Sequence, residues 1–214
     1  MSARNAILST MNTTGTTSIA RAVCALVLSI VLAIPVAAYA ATVDFFAFDG
    51  GSEAFLSEMA IHPTALRVGT VTYIAYQGPG YDAYVASYDE KTKRWAGPYR
   101  VGANPLVRDA HGSPSLFTDP AGRIHVLFGS HLSPMLHSRT VSSGDITSWE
   151  ALDPVDLGKT TYPQTFARDD GRIVLFYRRM NGAARDWVMR VAEEDCETFG
   201  PAETILRGAA DTGW

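Results

Sequence analysis

The 214-residue sequence predicts an all-β fold, a β-propeller built from repeated four-stranded units. Three observations predict it. After residue 41 the apolar residues come in short runs rich in Val, Ile, Tyr and Phe, bounded by Gly, Pro and Asp. No long stretch there shows helical periodicity. Three features also recur in fixed order with a period near 50. Short apolar runs between turn residues are the pattern of strands. A repeat of this length with several strands per unit is the pattern of propeller blades, each covered on both faces by its neighbours.

The repeat can be followed element by element. Each unit opens on a ring side chain that starts an inner strand: His62-Pro-Thr-Ala-Leu66, His111-Gly-Ser-Pro-Ser-Leu116 and Tyr162-Pro-Gln-Thr-Phe166, spaced by 49 and 51. A glycine-initiated apolar strand follows: Gly69–Tyr76, Gly122–Gly129 and Gly171–Arg178, spaced by 53 and 49. Each unit then has a polar turn that ends in an aromatic: Asp89 to Trp95, Asp145 to Trp149 and Glu194 to Phe199. Aspartate and hydroxyl groups in such a turn bond backbone amides, and the aromatic fills the gap between sheets. Trp95, Trp149 and Phe199 are therefore expected to be structural. About three units are expected between residues 41 and 214. The chain ends in phase with the start of a further unit, so it reads as a piece of a longer ring.

The first forty residues read as an export signal. Arg21 precedes an uncharged stretch with the apolar heart Ala25–Ile34, then Pro35 and the small-residue ending Ala38-Tyr39-Ala40. That order of charged, apolar and small segments predicts cleavage after Ala40 and a secreted or periplasmic protein with no membrane segment afterwards. Cys24 leaves with the signal and Cys196 remains, which excludes a disulfide scaffold and a cysteine zinc site. The chain has 18 basic and 22 acidic residues, a net charge of −4. No basic run is present, which argues against a nucleic-acid groove.

Equivalent strand positions in a propeller point to the same end of the central channel. His62, His111 and Tyr162 should therefore share one rim. The second strand of each unit returns there, bringing Tyr76 and Gln77, His131, and Tyr177 with Arg178 and Arg179. His111, His131, Tyr162 and Arg178 are the candidate catalytic set. His62, Gln77, Tyr177 and Arg179 are candidate substrate contacts. Adjacent strand residues alternate in direction, so only one of Arg178 and Arg179 faces the channel, and Arg178 is the choice. His125 and His137 read as packing residues inside strands. Imidazole, phenol and guanidinium groups at one mouth suit an anionic ligand whose carboxylate an arginine grips. A zinc site built from the histidines and a structural metal ion stay open, since the histidine spacing is not diagnostic, and no cofactor is indicated.

From about Tyr84 to Trp214 the chain resembles the BNR-4 family of secreted bacterial propeller proteins and the ulvan lyases similar to it. The segments that carry the resemblance are Tyr88–Pro98, Val101-Gly102, Asp109–Leu116, Gly122–His131, Thr161–Phe166 and Gly171–Arg179. The resemblance implies a seven-bladed ring around a polysaccharide site, with His111, His131, Tyr162 and Arg178 matching the lyase pattern. The implied activity is β-elimination in a uronate-containing, ulvan-like polymer. His111 and Tyr162 would move the protons, Arg178 would stabilise the enolate, and His131 would orient the carboxylate. A non-catalytic glycan-binding propeller is the alternative. A sialidase-like hydrolase is a second one, disfavoured because the rim reads as poor in carboxylates.

Overall fold

The computed structural model describes residues 64–106 and 109–209. The segment read from sequence as an export signal, residues 1–40, and His62 lie outside them. Eleven strands are described: β1 (Thr64–Val68), β2 (Val71–Gln77), β3 (Ala83–Asp89), β4 (Arg94–Gly102), β5 (Ser115–Thr118), β6 (Ile124–Phe128), β7 (His131–Thr140), β8 (Trp149–Ala167), β9 (Ile173–Asn181), β10 (Ala184–Val191) and β11 (Glu203–Leu206). β1 to β4 form a four-stranded sheet in sequence order, and β5 to β11 form a seven-stranded one, every pairing antiparallel.

The larger sheet is two blades joined by one strand. The first part of β8 pairs with β7, from Thr140↔Trp149 to Met135↔Asp156. Its last part pairs with β9, from Thr161↔Arg178 to Ala167↔Ile173. β8 is thus the outer strand of the second blade and, without a break, the inner strand of the third. The three four-stranded units are the propeller blades that the repeat predicts.

Alternation along β6 explains the packing. Every β6 residue is buried. Ile124, Val126 and Phe128 join Tyr73, Ala75, Val85 and Val101 of the first blade in one core. Leu127, from the other face, joins Phe117, Met135, Leu175, Tyr177 and Val188 in a second core against the third blade. A strand buried on both faces reads as a continuous apolar run, as this one does but for His125. The inner strands meet at equivalent positions. Thr64 Oγ1 donates to the Pro114 carbonyl at 2.8 Å, and Ser115 Oγ lies 2.8 Å from Thr165 Oγ1. Residues 50 apart in sequence are thereby neighbours around one axis.

The polar turns are built as expected. Asp89 Oδ1 accepts from the Lys91 amide, Asp145 Oδ1 from the Thr147 amide and hydroxyl, and Asp195 Oδ1 from the Glu197 amide. Trp149 packs on the first core and Phe199 on the second, while Trp95 lies 5.0 Å from the Tyr88 ring. Cys196, in a turn position that glycine usually takes, has φ +57°.

His125 and His137 are packed within the second blade, against the third. His125 Nδ1 is 2.9 Å from His137 Nε2, and His125 Nε2 is 3.3 Å from Asp119 Oδ2. Phe117 stacks on His125 at 4.6 Å. Burial pushes the His125 imidazole down to about 4 against the opposing pull of Asp119, and burial and then His125 push His137 down to about 3. Both are neutral when folded. Below the ordinary histidine range near 6.5, the unfolded chain takes up protons that the folded pair refuses. Stability is therefore fully present above that pH and falls as the pH drops toward 4. His125 alone accounts for up to ~3 kcal/mol of this loss. Thermal unfolding followed from about pH 7 to about pH 5 should show a falling midpoint, steepened by His137, and less so in His125→Phe. An identical slope in that variant would contradict the assignment.

Candidate active site

One end of the strands gathers His111, His131, Tyr162 and Arg178 in a line. The His111 and His131 rings stack with centroids 4.4 Å apart and planes at 21°. His131 stacks in turn over Tyr162 at 6.3 Å and 22°. The Arg178 guanidinium carbon sits 4.8 Å from the centre of the Tyr162 ring, within the range of a cation–π contact.

Two irregularities in the ladder aim these side chains. The β7–β8 register shifts between His131 and Ser133, and the β8–β9 register shifts between Thr161 and Gln164. Leu132 at φ +55° and Tyr162 at φ +58° take the left-handed conformation there. A non-glycine residue held in that region costs of order 1 kcal/mol and clusters at functional sites. The bulges turn Tyr162 out of the regular alternation of β8 and toward the histidines.

Asp109 is the residue that sequence reasoning missed. Its Oδ1 is 2.6 Å from His111 Nδ1 and its Oδ2 is 2.5 Å from His131 Nδ1. Oδ1 also accepts from the His111 amide at 3.0 Å, closing an Asx-type turn. Burial alone would raise this carboxyl. The bonds from His131 and from His111 outweigh it, and the group is held below the usual carboxylate range. The rim holds one carboxylate that was not singled out from the sequence, at its centre and engaged by both imidazoles. The signal was present in Asp109-Ala-His111, an Asp two residues before a ring whose amide it can cap.

Among the described residues, Asp109, His111 and His131 form the group whose donor atoms come close enough, within 4.8 Å, to be tested as a metal site. The facing nitrogen–oxygen pairs are at hydrogen-bond length. A zinc ion bonded at ~2.0–2.2 Å to convergent donors needs them further apart. The trio is arranged as a hydrogen-bonded cluster.

Three expected substrate contacts stand elsewhere. Gln77 is 1% exposed and donates from Nε2 to the Asp109 carbonyl at 3.1 Å and the Tyr81 carbonyl at 3.3 Å. It supports the Asp109 loop from behind. A side chain at Gly112 would meet Leu106 Cδ1 at 2.8 Å and Gln77 Nε2 at 3.1 Å, so the loop packs closely there. Tyr177 is 0% exposed and lies in the core between the second and third blades. Strand alternation puts it on the face opposite Arg178. Arg179 shares the Tyr177 face, with Nε 3.3 Å from Asp156 Oδ2, away from the histidines. Tyr76 is buried and stacks on Tyr84 at 6.2 Å.

The sequence model of the BNR repeat-containing family matches residues 71–208. The chain belongs to this family. This BNR repeat-containing chain is 35% identical over 189 residues to an ulvan lyase of Nonlabens ulvanivorans, covering 77% of this chain and 39% of that protein. It is 34% identical over 170 residues to an ulvan lyase of Alteromonas sp. (strain LOR), covering 68% and 34%. Among solved structures it is similar to a polysaccharide lyase of family PL25, an ulvan lyase bound to -[GlcA(1-4)Rha3S]-. The TM-score is 0.63 with 30% identity, over 68% of this chain and 38% of that one. The polysaccharide lyase Uly1, at 10% identity and TM-score 0.55, shares the fold. The chain spans less than two fifths of the length of the curated relatives it matches.

Proposed function

We propose that this protein is an exported polysaccharide lyase that cleaves a uronate-containing, ulvan-like polymer by β-elimination. The observation that supports it best is the single line of Arg178, Tyr162, His131 and His111 at one rim. Similarity to ulvan lyases supports the substrate class, and the charged–apolar–small order of residues 21–40 supports export.

The chemistry needs these residue types. The C5 proton of a uronate is too weakly acidic to leave while its carboxylate keeps full charge. Arg178 would pair with that carboxylate and stabilise the enolate charge that develops on it. A neutral His111 takes the C5 proton on its free ring nitrogen. The electron pair of that bond forms the C4–C5 double bond, and the C4–O4 bond breaks. The Tyr162 phenol gives a proton to the departing O4. No nucleophile and no water enter. A glycoside hydrolase needs a carboxyl group free to act as acid or base at the scissile bond. The carboxylate at this centre, Asp109, is already occupied by two imidazoles, which favours the lyase.

Incubation with ulvan should raise absorbance in the unsaturated-uronate band. His111→Ala and Tyr162→Phe should each lower that rate at least ~100-fold. Retention on the polymer with no new absorbance would overturn the lyase reading in favour of a glycan-binding role.

A further inference from the structure

We propose that Asp109 is a positioning residue that holds His111 and His131 in the same tautomer, each with its proton on Nδ1 and its lone pair on Nε2. The functional meaning of this inference rests on the lyase reading; its structural content does not.

A carboxylate has acceptors only, on both oxygens. Each oxygen faces one imidazole nitrogen, at 2.6 Å and 2.5 Å. Both links require a hydrogen, and only the rings can supply it. A neutral imidazole carries one N–H, so once Nδ1 is the donor, Nε2 is bare. The rings are stacked nearly parallel, so both bare nitrogens lie on edges turned away from Asp109. The carboxylate is itself fixed. Its Oδ1 caps the His111 amide, and the buried Gln77 holds its main-chain carbonyl. One carboxylate thus prepares two proton acceptors. A ring with a bare Nε2 has no proton there to offer a substrate carboxylate. His131 is thereby moved from the carboxylate-orienting role read from sequence to a second acceptor position, and Arg178 is left to bind the carboxylate.

Asp109→Asn gives a directional test. An asparagine keeping Oδ1 in place still accepts from the His111 amide and from His111 Nδ1. Its amino group then replaces Oδ2 and donates toward His131 Nδ1. His131 must become the acceptor and carry its proton on Nε2, while His111 keeps its tautomer. Nitrogen-15 long-range correlation spectra of the labelled protein, at about pH 8 where free histidine is neutral, report each ring separately. The native protein should show both Nε2 atoms unprotonated. Asp109→Asn should switch His131 alone. A native ring with its proton on Nε2, or a variant spectrum with no switch, overturns the proposal.

The kinetic counterpart, on ulvan, is a fall in kcat of at least ~10-fold for Asp109→Asn with KM little changed. An unchanged kcat would refute the positioning role. The native spectrum needs no turnover and no variant, so the tautomer assignment stands or falls separately from the lyase reading.

Discussion

Arg178→Ala is expected to lower kcat/KM on ulvan by ~1,000-fold or more, with folding stability changed by less than about 0.5 kcal/mol. Arg178 lies on the face of β9 that turns away from the interblade core, and its guanidinium rests over the Tyr162 ring. It is half-buried and takes no part in the interblade core, so its removal leaves that core intact. Under the proposed mechanism, what is lost is the cation that makes C5–H abstraction accessible, because an unpaired uronate carboxylate resists the charge of the enolate. Arg178→Lys restores the charge but not the planar fork that grips both carboxylate oxygens, and should recover only part of the rate. Steady-state absorbance assays with thermal unfolding of the same samples check both halves. A variant with near-native kcat/KM would remove the arginine from the mechanism.

Asp156→Ala is expected to destabilise the protein by about 3–5 kcal/mol. Asp156 is 5% exposed and sits in the second-blade part of β8. Its Oδ2 accepts from the Tyr177 hydroxyl at 2.6 Å and lies 3.3 Å from Arg179 Nε and 3.5 Å from Arg190 Nη2. Its Oδ1 accepts from the Gly158 amide at 2.8 Å. Arg190 Nε also donates to the Tyr177 oxygen at 3.0 Å. Burial, then Asp156, pushes the Tyr177 phenol far up, so it stays a donor. One carboxylate therefore ties the second blade to β9 and β10 of the third. Truncation would leave the buried Tyr177 phenol without its acceptor and strip Arg179 and Arg190 of their carboxylate, with Arg190 keeping only the Tyr177 oxygen. Denaturant unfolding of Asp156→Ala against the native protein measures the loss, and a difference below ~1 kcal/mol would show that water replaces the carboxylate.

Legibility followed what strand alternation and repeat phase can carry. Phase brought His111 and Tyr162 to one rim, since residues about 50 apart occupy equivalent inner-strand positions, and the antiparallel return of the second strand brought His131 there. Alternation separated Arg178 from Arg179. The same rule assigned Tyr177 to the face opposite Arg178, and applying it there would have placed that ring in the core. Gln77 shares the rim but is turned inward, and sequence cannot show that Asp109 and Gly112 of the next blade pack over it. Asp109 escaped because its function lies in a bridge between two rings 20 residues apart. The unbroken β8 escaped because no turn separates the outer strand of one blade from the inner strand of the next. The bulges beside His131 and Tyr162 had no sequence marker beyond the neighbouring prolines, yet they set the direction of both side chains.

The most direct test is mass analysis of the fragments released from ulvan in heavy-oxygen water. Elimination predicts fragments with an unsaturated uronate at the new non-reducing end and no oxygen taken from solvent. Saturated fragments carrying heavy oxygen at the new reducing end would mean hydrolysis, and would contradict the assignment of His111, Tyr162 and Arg178 to β-elimination.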